Sequence, residues 1–205
     1  MTITSPDQTE YSDQTFKRLA CQNAAITAKE FYDCTFQDCT FVESYLDRCR
    51  FVDCRFIACD LSLARVTGSS FRETTFERSK LIGINWTDAV WGIKGGFLTT
   101  LHFDDCTLNY ATFIGISLPG MVMRGCVAKD VDFTDGDFTE ADFRHTEFTD
   151  SLFVNTNLTR ADFRGARGYA IAPAQNTLTG AKFMLPDAMA LLYALDIVLA
   201  DNTDD

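Results

Sequence analysis

The chain places an apolar residue at every fifth position over most of its length. Phe31, Phe36, Phe41, Leu46, Phe51, Phe56, Leu61, Val66, Phe71, Phe76, Leu81, Trp86 and Trp91 keep strict five-residue intervals, and Phe16, Cys21 and Ile26 extend the series backwards. A two-residue slip falls in Gly92–Phe97. The comb restarts at Leu98 and runs through Phe103, Leu108, Phe113, Leu118, Met123, Ala128, Phe133, Phe138, Phe143, Phe148, Phe153, Leu158 and Phe163. All 30 teeth are apolar, although a chain without pattern would make only about half of them so, and the period is therefore specified.

A step of five suits neither standard element. On a helix it advances about 140° per tooth and sprays Phe around the circumference, and on a flat strand it alternates faces. The chain must turn a corner in every repeat. The position two before each tooth is small in 22 of 30 cases, as at Cys34, Ser44, Ala64, Ser69, Thr74, Ala141 and Ser151. If the extended piece from that small residue to the tooth lays both side chains inward, the other residues turn the chain by a quarter circle. Four repeats then close a coil. Coils stacked at about 4.8 Å satisfy each other's backbone groups and build a rod of about 7.5 coils, about 36 Å long.

Stretches such as Ala141-Asp142-Phe143-Arg144, Ala161-Asp162-Phe163-Arg164 and Cys34-Thr35-Phe36-Gln37-Asp38 resemble the pentapeptide-repeat family, in which a small residue, a polar one, Leu or Phe and two polar residues recur. The resemblance spans about residues 21–183. It implies an all-β fold, a right-handed quadrilateral parallel β-helix with a short C-terminal capping helix. The expected organisation is an N-terminal cap over residues 1–15, a β-helix over 16–183 with an insertion near 92–97 and a distorted coil near 165–177, and a C-terminal helix, strand and tail over 184–205.

The comb sorts the candidate chemistry into inward and outward positions. Seven of the eight Cys take the small inner position and Cys21 takes a tooth, where a thiol acts as a small hydrophobe. Cys34/Cys54, Cys39/Cys59 and Cys106/Cys126 lie one coil apart and should stack. Parallel side chains and a reducing compartment argue against disulfides, and the absence of Cys-x-x-Cys argues against zinc. Trp86 and Trp91 are expected to fill a locally widened coil, with an aromatic binding platform as the other possibility. The insertion with Lys94, Gly95, Gly96 and Phe97 is expected to bulge outward as a contact loop. His102 and His145 point outward without a nucleophile or ligand partner, so no catalytic constellation, metal site or cofactor is expected.

Hydrophobic residues make up 46% of the chain and Pro is limited to four, which excludes disorder. No apolar run is long enough for a membrane helix and the first residues lack the marks of a secretion signal, so a soluble cytoplasmic protein is expected. The formal charge of -11 opposes direct binding to nucleic acid or an anionic membrane. Over half of it lies between Lys129 and Asp150, where eight acids face two bases. Asp130, Asp132, Asp135, Asp137, Glu140 and Asp142 form the candidate partner surface. All lie outside the core, and the walls with Asp132 and Asp137 lack the Arg124, Arg144 and Arg164 column expected to neutralise Asp142 and Asp162. A solvated surface that keeps the rod soluble is the plainer reading of the same acids.

The comb fails at Gly168 and Pro173 and resumes at Leu178 and Phe183. Pro186 and Asp187 suit a helix start, and Ala188, Leu191, Leu192 and Leu195 form an apolar stripe, followed by a short strand at Ile197, Val198 and Leu199 and an acidic tail. This segment caps an open β-helix end. It also looks like the terminal segment of Qnr-type quinolone-resistance proteins, although Asp196 stands where those usually have Gly and their large projecting loops are missing. That resemblance implies a homodimer through Ala188, Leu191, Leu192, Leu195, Ile197 and Leu199. It further implies a non-enzymatic, DNA-mimicking binder of type II topoisomerase, chiefly DNA gyrase. The alternative is an interaction scaffold for another partner.

Overall fold

The computed structural model describes residues 3, 7–92, 100–195 and 197. Its body is a four-sided parallel β-helix, one tooth per side. Among the described residues twelve short strands carry it: β1 (Glu10–Ser12), β2 (Thr15–Lys17), β3 (Ala25–Thr27), β4 (Glu30–Tyr32), β5 (Thr35–Gln37), β6 (Tyr45–Asp47), β7 (Arg50–Val52), β8 (Arg55–Ile57), β9 (Ser70–Arg72), β10 (Thr74–Glu77), β11 (Leu101–Asp104) and β12 (Val122–Arg124). Where three-residue strands lapse, isolated parallel bridges continue the same walls, from Thr112↔Asp132 to Asp162↔Lys182.

Pairing runs between coils. Wall one stacks β1, β4, β7 and β9, and wall two stacks β2, β5, β8, β10, β11 and β12. Wall three follows Ala20, Thr40, Asp60, Lys80 and Thr107, and wall four holds the pair β3 and β6 and continues through Arg65, Asn85, Thr112, Asp132 and Leu152. Tyr11 is a fully buried tooth five residues before Phe16 and pairs with Phe31, so the repeat already operates there.

The ten three-residue strands are centred on their tooth, with the flanking residues outward except for the buried Val52, and so differ from an extended piece that begins at the small residue, whereas β10 and β11 do begin at that inner position, at Thr74 and Leu101. The reason lies two residues after the tooth, where at nearly every described corner the chain adopts a left-handed φ of about 50–75°, from Asp13 and Arg18 to Asn155 and Arg160; the exception is Asp88, in the 3-10 turn after Trp86. This residue makes the corner, and the small residue turns inward only after it. Stacked rings then fill the lumen: Phe16, Phe36, Phe56 and Phe76 lie 4.6 to 5.0 Å apart, and edge-to-face contacts link neighbouring walls. Each such pair adds about 0.5–1.5 kcal/mol beyond area burial.

The interruption is larger than a two-residue slip. Phe36 pairs with Phe56 and Phe56 with Phe76 at a step of 20, but Phe76 pairs with Phe103 at a step of 27. The step across this coil is seven residues longer, the increase lies between Trp91 and β11, and the coil-to-coil pairing continues on either side. Trp86 is buried and stacks on Phe113, while Trp91 is half-buried and its Nε1 donates to the Trp86 carbonyl at 2.8 Å. Trp86 is thus a core ring and not a surface platform. Lys94, Gly95, Gly96, Phe97 and Leu98 lie outside the described residues.

Near the C-terminal end the coil keeps its step while changing its filling. Asn157 still bridges Thr177, but Tyr169 and Ile171 occupy the interior where the comb would put Gly168 and Pro173. Gly168 has a φ of +71°, and an added Cβ would come within 2.7 Å of the Thr149 hydroxyl and 3.1 Å of its backbone nitrogen, so a side-chain-bearing tooth would be strained there. The helix is short, α1 (Met189–Tyr193), with Ala190 and Leu191 packed on the core. Ile197 is exposed and not in a strand, and Val198 and Leu199 lie outside the described residues.

Candidate functional site

Two local rules decide where the acids sit. At the corners, left-handed backbone favours Asp, Asn and Gly, and among the described residues ten of the 22 non-glycine residues with positive φ are Asp or Asn, Asp130 and Asp135 among them. One residue before the tooth, a carboxylate folds back onto the backbone. The Thr134 N–H donates to Asp132 Oδ1 at 2.9 Å, Thr139 N–H to Asp137 Oδ1 at 3.1 Å and Arg144 N–H to Asp142 Oδ1 at 3.2 Å. The belt is therefore partly turn chemistry, legible in the Asp-x-Thr and Asp-x-Arg spacing but missed when outward positions are treated as free.

The six candidate acids divide by partner. Asp142 lies between Arg144, at 2.7 Å, and Arg124; burial alone would raise its carboxyl, but the two guanidiniums hold it well below the usual carboxylate range. Asp162 is lowered in the same way, first by its hydrogen bond to Arg164 at 2.6 Å. Glu140 pairs with Arg160 at 2.7 Å. Asp135 and Asp137 instead accept from the neutral amides of Asn155, at 2.7 Å, and Asn157, at 3.0 Å. Among the described residues, no cation lies within ion-pairing distance of Asp130, Asp132, Asp135 or Asp137. These four, on walls four and one and the corners beside them, stand outside any ion pair among the described residues.

The inner cysteines have a hydrogen-bonding task beyond filling space. At some corners the turn closes on itself, with the N–H three residues after the tooth donating to the tooth carbonyl, as Ala64 to Leu61 at 3.0 Å and Ala141 to Phe138 at 3.1 Å. This is the form of a type II turn. At other corners both groups are left over, and the polar side chain at the same inner position one coil later serves them. Ser69 Oγ accepts from the Cys49 N–H at 2.7 Å and donates to the Leu46 carbonyl. Ser79 repeats this on Cys59 and Phe56, Ser151 on Val131 and Ala128, and Cys126 on Cys106 and Phe103. All eight thiols are free and buried. Burial pushes Cys54 up to about 12 and Cys21 up to about 11, which favours the protonated donor over the thiolate a metal would need. Among the described residues, no group of three or more His, Cys, Asp or Glu is placed to hold a metal ion.

At the far end, Leu192, Leu195 and Ile197 are exposed, Leu191 is partly buried on the core and Ala188 is half-buried, so the candidate dimer interface is an apolar end surface around α1. No described helix is long and apolar enough to cross a membrane.

Comparison with solved structures places the same architecture in a trypsin-treated variant of QnrB1, a plasmid-mediated fluoroquinolone resistance protein, with TM-score 0.69 and 20% identity over 93% of this chain and 90% of that one. Full-length QnrB1 gives 0.59 and 21% over 92% and 90%. HetL, a pentapeptide repeat protein involved in heterocyst differentiation regulation from the cyanobacterium Nostoc sp. strain PCC 7120, gives 0.60 and 15% over 88% and 90%. At these identities the likeness is one of fold. No curated protein matches the sequence. Residues 29–96 and 93–163 match the pentapeptide repeat region, and with its five-residue comb, left-handed corners and stacked coils the chain belongs to the pentapeptide-repeat family.

Proposed function

We propose that the protein is a non-enzymatic binder of type II topoisomerase, DNA gyrase in the first place, that presents an acidic rod where the enzyme would hold DNA and protects it from topoisomerase poisons. The observation that carries this reading is the likeness of fold to QnrB1, a fluoroquinolone resistance protein, over 93% of the chain. The unpaired charges of Asp130, Asp132, Asp135 and Asp137 supply the sign a basic DNA-binding surface recognises. Two rods joined at their C-terminal ends would span about 70 Å, the length of about 20 base pairs.

A second reading, an interaction scaffold for another protein, is favoured by the likeness to HetL and by the turn chemistry that accounts for some of the acids without a partner. A supercoiling assay with purified gyrase, with and without a fluoroquinolone, separates the two. Inhibition of supercoiling or restored supercoiling in the presence of drug is expected. No effect on either, and no binding at low salt, would leave the scaffold reading.

A further inference from the structure

The walls differ in what they leave uncovered. Among the described residues of the β-helix body, the large hydrophobic side chains that stand exposed are Tyr45, Leu63, Tyr110, Ile114, Leu152 and Val154, with Val90 the one exception on wall one. The first six fall on wall four or on the corner between walls three and four. Tyr45 and Leu152 hold the position before the tooth and Ile114 and Val154 the position after it, while Leu63 and Tyr110 sit at the corner with φ of 58° and 61°. The strip from Tyr45 to Leu152 spans five coil steps, about 24 Å. Near its N-terminal end a groove of about 550 Å³ opens between Tyr45, Leu63, Arg65 and Asn85.

Solvated walls in this protein solve the exposure problem differently. Wall two alternates Asp142, Arg144, Asp162 and Arg164 into a self-neutralising ladder. Wall four has no such ladder. Its one arginine in the strip, Arg65, lies over the Tyr45 ring at 5.0 Å. Asp130, Asp132 and Asp150 interleave with the apolar residues, and none has a cation partner among the described residues. Exposed aliphatic and aromatic groups scattered singly are ordinary, but six gathered along one face and its edge mark protein contact. Phosphate is repelled by the carboxylates. A second copy laid wall to wall would bring the two negatively charged strips against each other.

We infer that wall four and its edge toward wall three form a docking surface for a protein element that presents aliphatic side chains interleaved with lysine or arginine. Aliphatic groups of the partner cover Ile114, Leu152 and Val154, and its cations meet Asp130, Asp132 and Asp150. This goes beyond the topoisomerase reading and does not depend on it, since the surface selects by chemistry whichever protein carries such an element.

The test uses the full chain and a fluorescent synthetic amphipathic peptide made only of Leu and Lys, with a Lys-only peptide beside it. Binding is read by anisotropy for the wild type, for Ile114→Ser with Leu152→Ser, for Asp130→Asn with Asp132→Asn, and for a wall-two control, Val122→Ser. All sites are on the surface, and thermal melts confirm that each variant is folded. The mixed peptide is expected to bind at least about tenfold more tightly than the Lys-only peptide. Either wall-four double variant should weaken it by about tenfold, and the control should change it less than about twofold. Equal binding of the two peptides, no binding, or equal loss in the control overturns the inference. So does a wild-type dimer in sedimentation that Ile114→Ser with Leu152→Ser converts to monomer, because the strip would then be occupied by a second copy.

Discussion

Ser44 and Ser69 occupy equivalent inner positions and are both buried, yet they differ in what lies one coil before them. The corner at Cys21 is closed by the Ala24 N–H at 3.1 Å, so Ser44 Oγ finds no partner. The corner at Leu46 is open, and Ser69 serves both its leftover groups. Ser69→Ala should therefore cost about 1–3 kcal/mol, the penalty for stranding a buried donor and acceptor, while Ser44→Ala should be neutral or stabilising. Urea unfolding of the two variants checks this; equal losses would refute the assignment. The comb placed Cys, Ser, Thr and Ala in one class because all are small. It could not separate them, because whether an inner residue needs a hydrogen-bonding group is set by the closure of a turn 20 residues earlier. The tooth positions, by contrast, were readable from residue type alone, since nearly every one from Phe16 to Phe163 ends in the lumen.

A coil is the unit at which the outward residues gain meaning. Arg124, Asp142 and Arg144 belong to two successive coils and meet only because wall two stacks them. The Asp142 carboxyl is held below its ordinary range, so it contributes stability that is present above that range and lost as pH falls through the lowered value. Asp142→Asn should lower the melting temperature at pH 7 by an amount corresponding to about 1 kcal/mol, reduced by partial exposure, and the gap should close as the wild type is acidified below about pH 4. A gap unchanged by acid would place the loss elsewhere. The step of 20 also shows why the alternation of Arg and Asp on this wall was legible from the sequence: constant spacing makes columns countable. The two-residue slip of the comb and the step of 27 describe one interruption, because five of the seven added residues leave the comb in phase and a count modulo five sees only the other two. The filling of the distorted coil by Tyr169 and Ile171 was not legible for the opposite reason, since both stand off the comb.

At the scale of the molecule, charge is polarised along the rod. Residues 1–100 hold 11 bases and 13 acids, whereas residues 101–205 hold 7 bases and 16 acids. The negative half adjoins the end that carries α1, so joining two copies there would make the centre of the pair its most acidic part. Leu192→Asp with Leu195→Asp should abolish such a pair, giving a monomer by sedimentation with an unchanged circular dichroism spectrum; a persistent dimer would move the interface. Under the topoisomerase proposal, Asp132→Asn with Asp137→Asn should weaken gyrase binding by about tenfold and flatten its salt dependence. Equal binding at all salt concentrations would count against the acidic belt as the contact.

The step between coils has a mechanical consequence. Among the described residues, every bridge from Ala20↔Thr40 to Asp162↔Lys182 links a residue to one in the next turn of the chain, and no strand is clamped by two distant parts of the sequence. Tension applied at the two ends would peel one turn at a time, each of 20 residues releasing about 70 Å of contour length. The turn from Phe76 to Phe103, with 27 residues, would release about 90 Å. A single-molecule extension trace should thus resemble a ruler with even graduations and one long interval, and the place of that interval in the trace would report from which end the rod gives way.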